Sequence, residues 1–463
     1  MVDDLDSPYY FNTISELIMK SLFFLISTLL TITFLAGCDL ANNEEKEEVP
    51  KTITNIEDKL DKPKPLKQII LTLGSWRKDD VEQINFILNK FNEKYPHIVI
   101  KFDPTSPSEY NEVIETQLES DTAPDLFYLR SFSHSRKLFK KGYLATLNEL
   151  PGIKEHFPAQ MLEAWSTTNG KVYGVPLMAV SHGIYYNSSL FKKMNLVIPD
   201  TWEKLLSLSE HLKQKGIIPF ANATGDTWTI NGLILQNVIP SIIGGVEGRL
   251  DYYNGKRCFN DDQMVASFQA VKDISAYVST NQKLLKYADS LQLFIQGKSP
   301  MWFGGSWDIP FFEAQDPDFE WSIFAIPPPK GKDYHVTFHP DAGIGLNRSS
   351  AYIKEAKQFL QWMTTVEFAS LVVDQLPGFF PMHKKVTTIK NKYASTFLGF
   401  NKKYKTDVRF VWGKIRDGTP SAYQLSLQSS VDIMNNIITP KQAAEKLQTG
   451  LSKWYIPATQ CPQ

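Results

Sequence analysis

The stretch from Ile69 to Leu129 alternates apolar runs with amphipathic segments, and this order limits the folds that the chain can adopt. Short apolar runs predict strands at residues 69–73, 97–102 and 123–129. Apolar residues spaced three and four apart predict helices between them, one capped by Asp79 or Asp80 and one over residues 108–118. Strands that alternate with helices form parallel sheets, which bind ligands beyond the carboxyl ends of their strands. The sequence therefore predicts an α/β fold.

Length and composition indicate more than one folded part and exclude some functions. The 463 residues exceed what one ordinary hydrophobic core holds, so we expect two lobes. A formal net charge of −1 provides no basic excess for binding nucleic acid. Aromatic residues make up 13% of the chain, including 10 Trp and 19 Tyr, so we expect some of these rings to line a binding cleft.

The N-terminal segment has the features of a secretory signal. Lys20 precedes an apolar run at residues 21–36, which ends in the tetrapeptide Leu35-Ala36-Gly37-Cys38. This order resembles a bacterial lipobox, in which the cysteine thiol is lipidated and becomes the new N-terminus. The run is shorter than the roughly 20 apolar residues that span a bilayer, which disfavours an uncleaved anchor. We therefore expect Cys38 to carry a lipid.

The residues on either side of this run complete the N-terminal region. Acidic residues before Met19 oppose a signal function, so we expect translation to start at Met19 within the signal segment 1–38. Residues 39–67 are rich in charge and poor in apolar side chains. Such a segment cannot bury enough surface to offset its chain entropy, which predicts a flexible tether.

Two further cysteines follow the tether, Cys258 and Cys461. An extracytoplasmic compartment permits a disulfide between them. Their spacing does not reveal their geometry, so the sequence leaves the pairing open.

Short motifs along the chain resemble those of a known family. Each is weak alone, but they occur in the family's order and span nearly all of the chain after the tether. The motifs are Ala123-Pro124-Asp125-Leu126, Gly142-Tyr143-Leu144, Asn169-Gly170-Lys171-Val172-Tyr173-Gly174-Val175-Pro176, Tyr185-Tyr186-Asn187, Pro199-Asp200-Thr201-Trp202, Gly305-Ser306-Trp307, Ile326-Pro327-Pro328-Pro329-Lys330-Gly331 and Ala342-Gly343-Ile344-Gly345-Leu346. On these motifs the chain resembles the extracellular solute-binding proteins of ABC importers, in the carbohydrate branch that includes maltose-binding protein.

The resemblance implies a two-lobed periplasmic-binding-protein fold of the type II kind, which closes on its ligand like a hinged clamp. Each lobe would be a mainly parallel sheet flanked by helices. The implied boundaries are lobe one at 68–178 plus 337–376, lobe two at 183–326 plus 382–463, and crossovers near 178–182, 326–336 and 377–381.

A sugar presents apolar C–H faces and rings of hydroxyls, so its cleft needs flat aromatic platforms and fixed polar groups. The resemblance places Trp307 where family members have a sugar-stacking Trp. The ligand-binding candidates are Trp76, Asp125, Tyr128, His182, Trp228, Trp307, Asp308, His339, Asp341 and Tyr423. Core packing is the alternative for the other Trp residues, and Asp125 could instead hold a sheet end. The many aromatic residues favour a neutral oligosaccharide.

The implied function is capture of a sugar or oligosaccharide and its delivery to the transmembrane subunits of an ABC permease. We expect a monomer without cofactor, metal or catalytic residues, held by lipid in the periplasm or at the cell surface. A glycosidase is the enzymatic alternative, with Asp308 and Asp341 as its carboxylates. A zinc site of His335, His339 and Asp341 is a weaker one. A ligand-sensing module for a signalling receptor would share the fold but have a different partner.

Overall fold

The computed structural model describes residues 67–107, 109–278, 281, 284–386 and 388–461. The predicted signal segment 1–38, with Cys38, and the tether up to residue 66 lie outside the described residues. Over the described residues, no helix combines the length and apolar character needed to cross a membrane.

Strands and helices alternate at first, and helices dominate the later part of the chain. The strands are β1 (Ile69–Ser75), β2 (Ile98–Pro104), β3 (Leu126–Arg130), β4 (Val175–Asn187), β5 (Met301–Gly305), β6 (Trp321–Phe324), β7 (His335–Leu346) and β8 (Lys405–Asp407). The α-helices are α1 (Val81–Lys94), α2 (Tyr110–Glu119), α3 (Ser133–Lys140), α4 (Ala159–Leu162), α5 (Ser188–Lys193), α6 (Trp202–Gln214), α7 (Gln236–Ile243), α8 (Gly245–Tyr253), α9 (Asp262–Ser275), α10 (Tyr287–Ile295), α11 (Ile309–Gln315), α12 (Ile353–Met363), α13 (Val366–Gln375), α14 (Lys392–Lys403), α15 (Ala422–Met434), α16 (Pro440–Leu451) and α17 (Ile456–Thr459).

The first sheet has the strand order β2-β1-β3-β7-β4. β1 runs parallel to both β2 and β3, with Ile69 opposite Ile98 and Leu73 opposite Leu126. This confirms the parallel arrangement predicted from the strand–helix alternation. β7 runs antiparallel to β3 and to β4.

The second sheet contains β5 and β6, which flank the later half of β4 and are both antiparallel to it. The expectation of a mainly parallel sheet in each lobe is wrong here. The reason is that β4 continues from the first sheet into the second, where β5 and β6 run antiparallel to it. Ser181 is the last residue of β4 that pairs with β7, and His182 is the first that pairs with β5.

A third stretch runs beside this change of partner. Phe380 exchanges backbone hydrogen bonds of 2.8 Å with Ala179 of β4. The hydroxyl of Ser306 donates to the carbonyl of Gly378 and accepts from the N–H of Ser181 at 3.1 Å. Residues 378–380 are therefore bound to β4 and to the turn that follows β5.

Helix α1 shows how the amphipathic pattern builds the core. Its buried residues, including Ile87 and Phe91, lie on one face, and the Phe91 ring packs edge to face on Phe359 at 5.1 Å. Asp80 occupies the predicted N-cap position, but its side chain makes no capping hydrogen bond. This part of the prediction is wrong, because Arg77 engages the Asp80 carboxylate instead.

A disulfide joins Cys258 to Cys461, which answers the question that the sequence left open. The two Cα atoms are 5.3 Å apart, within the usual range for a disulfide. The bond ties the end of the chain to the loop before α9, across a sequence separation of 203 residues.

Candidate functional site

The candidate site lies where the first sheet meets the second. Trp76 and Arg77 follow the carboxyl end of β1, and Arg130 ends β3 beside the part of β7 that holds Asp341. His182 lies on β4 where that strand changes sheets. Ligands of open α/β sheets bind at such strand ends, so these residues mark the expected position of a cleft.

Trp307 lies in the short helical turn after β5, and its half-buried ring is held from several sides. Its Nε1 donates to the hydroxyl oxygen of Tyr287 at 2.8 Å. Its ring meets the His182 ring edge to face, with centroids 5.2 Å apart. Gly305 is needed beneath it, because a Cβ at that position would overlap the indole. These contacts fix the orientation of the Trp that the sequence singled out as a stacking platform.

Asp308 is a buried residue that supports the Trp307 ring. It is only 3% exposed, and its carboxyl group accepts from the Tyr287 hydroxyl and from the Gly305 N–H at 3.2 Å. Burial raises the pKa of Asp308 to about 8, against the opposite effect of these hydrogen bonds. The carboxyl group is therefore mostly protonated at neutral pH. Asp308 positions Tyr287, which in turn positions Trp307.

His182 and Arg409 form a buried pair next to Trp307. Nη2 of Arg409 lies 2.8 Å from Nε2 of His182, and the two residues are 7% and 2% exposed. Arginine can only donate, so His182 accepts through Nε2 and its ring is neutral. Burial and the charge of Arg409 together lower the pKa of His182 well below its usual value. The pair therefore carries one positive charge, which resides on Arg409.

A second aromatic group surrounds Arg416. Its guanidinium lies 4.4 Å from the ring centroid of Trp412 and 4.3 Å from that of Tyr423. Trp412 and Tyr423 pack edge to face at 5.0 Å. The ring of Trp412 also contacts His339, whose centroid is 5.6 Å away. Two of the predicted site residues, Tyr423 and His339, therefore both contact Trp412.

His339 is fully buried, and its Nε2 lies 3.1 Å from the hydroxyl of Ser131. Burial, followed by the charges of Arg409 and nearby groups, lowers the pKa of His339 well below its usual value. Its imidazole is therefore neutral at physiological pH.

Trp76 and Tyr128 lie on the side of the candidate site that belongs to the first sheet. The Arg130 guanidinium lies 3.8 Å from the centroid of the Trp76 ring. Tyr128 packs edge to face under the same ring at 5.3 Å, and both residues are at most 4% exposed. Here the half-buried Arg130 covers the buried Trp76, so the arginine rather than the predicted indole is the more accessible group on this side.

Asp341 is the carboxylate that several arginines share. It interacts electrostatically with Arg77, Arg130 and Arg409 and favours their charged forms. Over the described residues, none of the three comes within ion-pair distance of Asp341, whereas Arg77 pairs with Asp80 through two nitrogens.

Asp125 and Trp228 differ from the other candidates. Asp125 precedes β3, at the end of the strand away from Arg130, and its oxygens accept from Thr72 N–H at 2.9 Å and from the Ser350 hydroxyl at 2.6 Å. These bonds support the structural alternative for Asp125. Trp228 packs on Tyr287 with ring centroids 4.9 Å apart, so it extends the aromatic wall behind Trp307.

The residues of the alternative zinc site do not converge. His335 packs against Gly245, whereas His339 faces Ser131 and Trp412. Within the described ranges, no group of three or more His, Cys, Asp or Glu side chains could hold a metal ion.

Most of the charged residues in this region were not predicted from the sequence, namely Arg77, Arg130, Arg409 and Arg416. Two aromatic residues, Tyr287 and Trp412, were not predicted either. One local signal was available, because Arg409 and Arg416 flank Trp412 within one short segment. Arg77 and Arg130 gave a second signal, since both lie at carboxyl ends of predicted parallel strands.

Comparisons with known proteins agree on the fold. The chain is 28% identical over 393 residues to the multiple sugar-binding protein of Streptococcus mutans, covering 83% of this chain and 86% of that protein. It superposes on a chitin oligosaccharide binding protein with a TM-score of 0.70 at 22% identity, covering 84% of this chain and 99% of the other. It also superposes on the solute-binding protein RafE in complex with raffinose, with a TM-score of 0.69 at 22% identity, covering 83% and 99% of the two chains.

The two superpositions show a two-lobed α/β fold, as the sequence motifs predicted. Residues 75–369 match the family of bacterial extracellular solute-binding proteins. This match includes β3, β4, β5 and β7, which carry much of the site. The chain therefore belongs to the family of bacterial extracellular solute-binding proteins.

Proposed function

We propose that this protein is the substrate-binding lipoprotein of an ABC importer, which captures a sugar or oligosaccharide between its lobes and delivers it to a membrane permease. The observation that carries the proposal is the fixed, half-buried ring of Trp307 beside the point where β4 changes sheets. The names of related proteins, a multiple sugar-binding protein and a maltodextrin-binding protein, support the same ligand class.

The chemistry of the site suits a saccharide. The Trp307 ring offers a flat face for the C–H side of a pyranose, and Trp412 and Tyr423 offer further aromatic surface. Guanidinium N–H groups of Arg130, Arg409 and Arg416 can donate to ring oxygens and hydroxyls. Nothing in this arrangement requires a cofactor.

Closure would couple binding to transport. We assign lobe one to residues 68–178 plus 337–376 and lobe two to 183–326 plus 382–463, with crossovers near 178–182, 326–336 and 377–381. The change of partner within β4 and the bonds of Phe380 to Ala179 support these crossovers. A ligand that touches both lobes stabilises the closed form by its differential affinity, and the permease would bind that form.

A screen of saccharides tests the proposal against the glycosidase alternative. Ligands that bind only the folded protein raise its melting temperature, and calorimetry then gives the affinity. We expect saturable binding of at least one saccharide, with the saccharide recovered intact afterwards. Cleavage products would favour the glycosidase, and no binding across a broad panel would refute the proposal.

The lipid anchor and the partner need separate tests. We propose that Cys38 is lipidated and that the protein is extracytoplasmic. Metabolic labelling with a fatty acid should mark the wild-type protein and not Cys38→Ser, and labelling of both would contradict this. Co-purification with permease subunits in the presence of ligand would favour transport, whereas co-purification with a sensor kinase would favour the signalling alternative.

A further inference from the structure

The strongest unexplained feature of the site is its positive charge. Arg130, Arg409 and Arg416 lie around the rings of Trp76, Trp307, Trp412 and Tyr423. Over the described residues, none of these three arginines forms an ion pair with a carboxylate, while Arg77 is paired with Asp80 and Arg136 lies 3.3 Å from Asp417. The three arginines therefore differ from their neighbours in lacking a paired anion.

The balance of charge follows from the neighbouring groups. Asp341 supplies one negative charge to this region, and Asp308 is mostly neutral because burial raises its pKa to about 8. The histidines at 182 and 339 are neutral. Asp341 acts on Arg130 and Arg409, whereas Asp417, which lies 3.3 Å from Arg136, acts on Arg416. Four guanidinium groups with two carboxylates leave an excess of positive charge at the site.

The arginines also repel one another in a desolvated setting. Burial, with smaller contributions from the charges of Arg130 and Arg409, lowers the pKa of Arg416 to about 10. Burial is also the largest cause that lowers the pKa of Arg409, and Arg130 adds to it. Arg409 is buried, and Arg130 and Arg416 are half-buried. Charges of one sign that are removed from water are unfavourable without a counter-charge, so an anion placed among them would relieve this cost.

The hydrogen-bonding capacity of the three arginines is largely unused within the described residues. The guanidinium of Arg416 makes no hydrogen bond there, and that of Arg130 makes one, from Nη2 to the Pro107 carbonyl at 3.3 Å. The guanidinium of Arg409 donates from Nη2 to His182, while its Nε is buried without a partner. Stacking on aromatic rings covers the face of a guanidinium and leaves its in-plane N–H donors available. Such donors bind the two oxygens of a carboxylate, sulfate or phosphate group well.

We propose that the natural ligand is an acidic saccharide, with an oxyanion substituent bound by Arg130, Arg409 and Arg416 and a sugar ring stacked on the adjacent aromatic side chains. This inference rests on the proposed function and refines its ligand class. It replaces the neutral oligosaccharide that the aromatic content favoured. The shared chemistry is an oxyanion on a sugar, and its source can be a uronate carboxylate, a sulfate ester or a phosphate ester.

Calorimetry on the intact folded protein tests this inference with pairs of saccharides matched in length. The panel contains uronate oligosaccharides, sulfated oligosaccharides and sugar phosphates, each with its neutral counterpart. We expect at least one acidic member to bind about tenfold or more tightly than its neutral counterpart, with the difference shrinking as salt is added. The member that binds identifies the source of the oxyanion.

Arg416→Gln gives the matched test on the protein, because it removes charge while keeping a similar stem. We expect it to weaken the acidic ligand by about tenfold or more and a neutral sugar by far less. The control is Arg348→Gln, since Arg348 is exposed, and it should leave both affinities unchanged. Circular dichroism and melting temperature establish that each variant is folded, and the wild-type panel decides the question if Arg416→Gln is not.

Failure of this inference can be distinguished from failure of the proposed function. Saturable binding of a neutral saccharide at an affinity equal to or above that of its acidic counterparts overturns this inference and leaves the proposed function standing. Absence of binding by every saccharide, acidic or neutral, overturns the proposed function as well.

Discussion

Asp308 provides the sharpest test of how the site is built. It is buried beneath Trp307, and burial raises its pKa to about 8, compared with 3.8 for an ordinary aspartate. A pKa that is higher in the folded state means that folding favours the protonated form. This stabilising contribution is fully present below about pH 4 and is lost as the pH rises towards 8.

The magnitude follows from linkage. Within this window, each rise of one pH unit lowers the free energy of unfolding by about 1.4 kcal/mol through Asp308 alone. Between pH 5 and pH 8 the wild-type protein should therefore lose roughly 4 kcal/mol through Asp308. Asp308→Asn cannot ionise and should remove this part of the pH dependence. If the Asn oxygen accepts from Tyr287, its amide nitrogen faces the Gly305 N–H and cannot accept from it. The lost hydrogen bond should lower the free energy of unfolding by about 1 kcal/mol at every pH.

The assay is denaturant unfolding of the wild type and of Asp308→Asn at a series of pH values. The difference in slope with pH is diagnostic, whereas a constant offset reports only the lost hydrogen bond. Asp318→Asn is the control, because Asp318 is exposed and should leave the slope unchanged. Parallel pH profiles for the wild type and Asp308→Asn would refute the argument that a buried, protonated carboxyl group supports Trp307.

Three further predictions concern the Trp307 platform, the Cys258–Cys461 disulfide and the Arg77–Asp80 ion pair. Trp307→Ala should weaken saccharide binding by more than about 1 kcal/mol in calorimetry, because it removes an aromatic anchor, and unchanged affinity would count against its placement. Reduction of the Cys258–Cys461 bond, or its replacement by two alanines, should lower the free energy of unfolding by about 2–5 kcal/mol, since the bond closes a long loop; equal denaturant midpoints would contradict this. Asp80→Ala should destabilise the fold by about 2 kcal/mol or more, because it leaves the half-buried Arg77 unpaired, and an unchanged melting temperature would show that the pair adds nothing.

Local patterns in the sequence determined much of the fold. The parallel β2-β1-β3 unit and the helices α1 and α2 between its strands follow from short-range spacing. The antiparallel pairing in the second sheet could not be predicted in this way. It depends on the length of β4 and on distant partners, which local periodicity does not contain.

The candidate site, like the fold, could be predicted from the sequence only in part. Trp307 and His182, which the sequence offered separately as ligand-binding candidates, lie beside each other. Asp308 acts through Tyr287, however, and Trp76 lies under Arg130. Charges that converge from segments far apart in sequence cannot be added up before their positions are known. For this reason the overall charge of −1 gave no indication of a local positive cluster.

Ligand capture between closing lobes is tested most directly by a titration with acidic and neutral saccharides, followed by calorimetry and solution scattering together. We expect saturable binding of an intact acidic saccharide, accompanied by a more compact scattering profile as the lobes close. Profiles that stay the same with every saccharide, with no heat of binding from any of them, would contradict it.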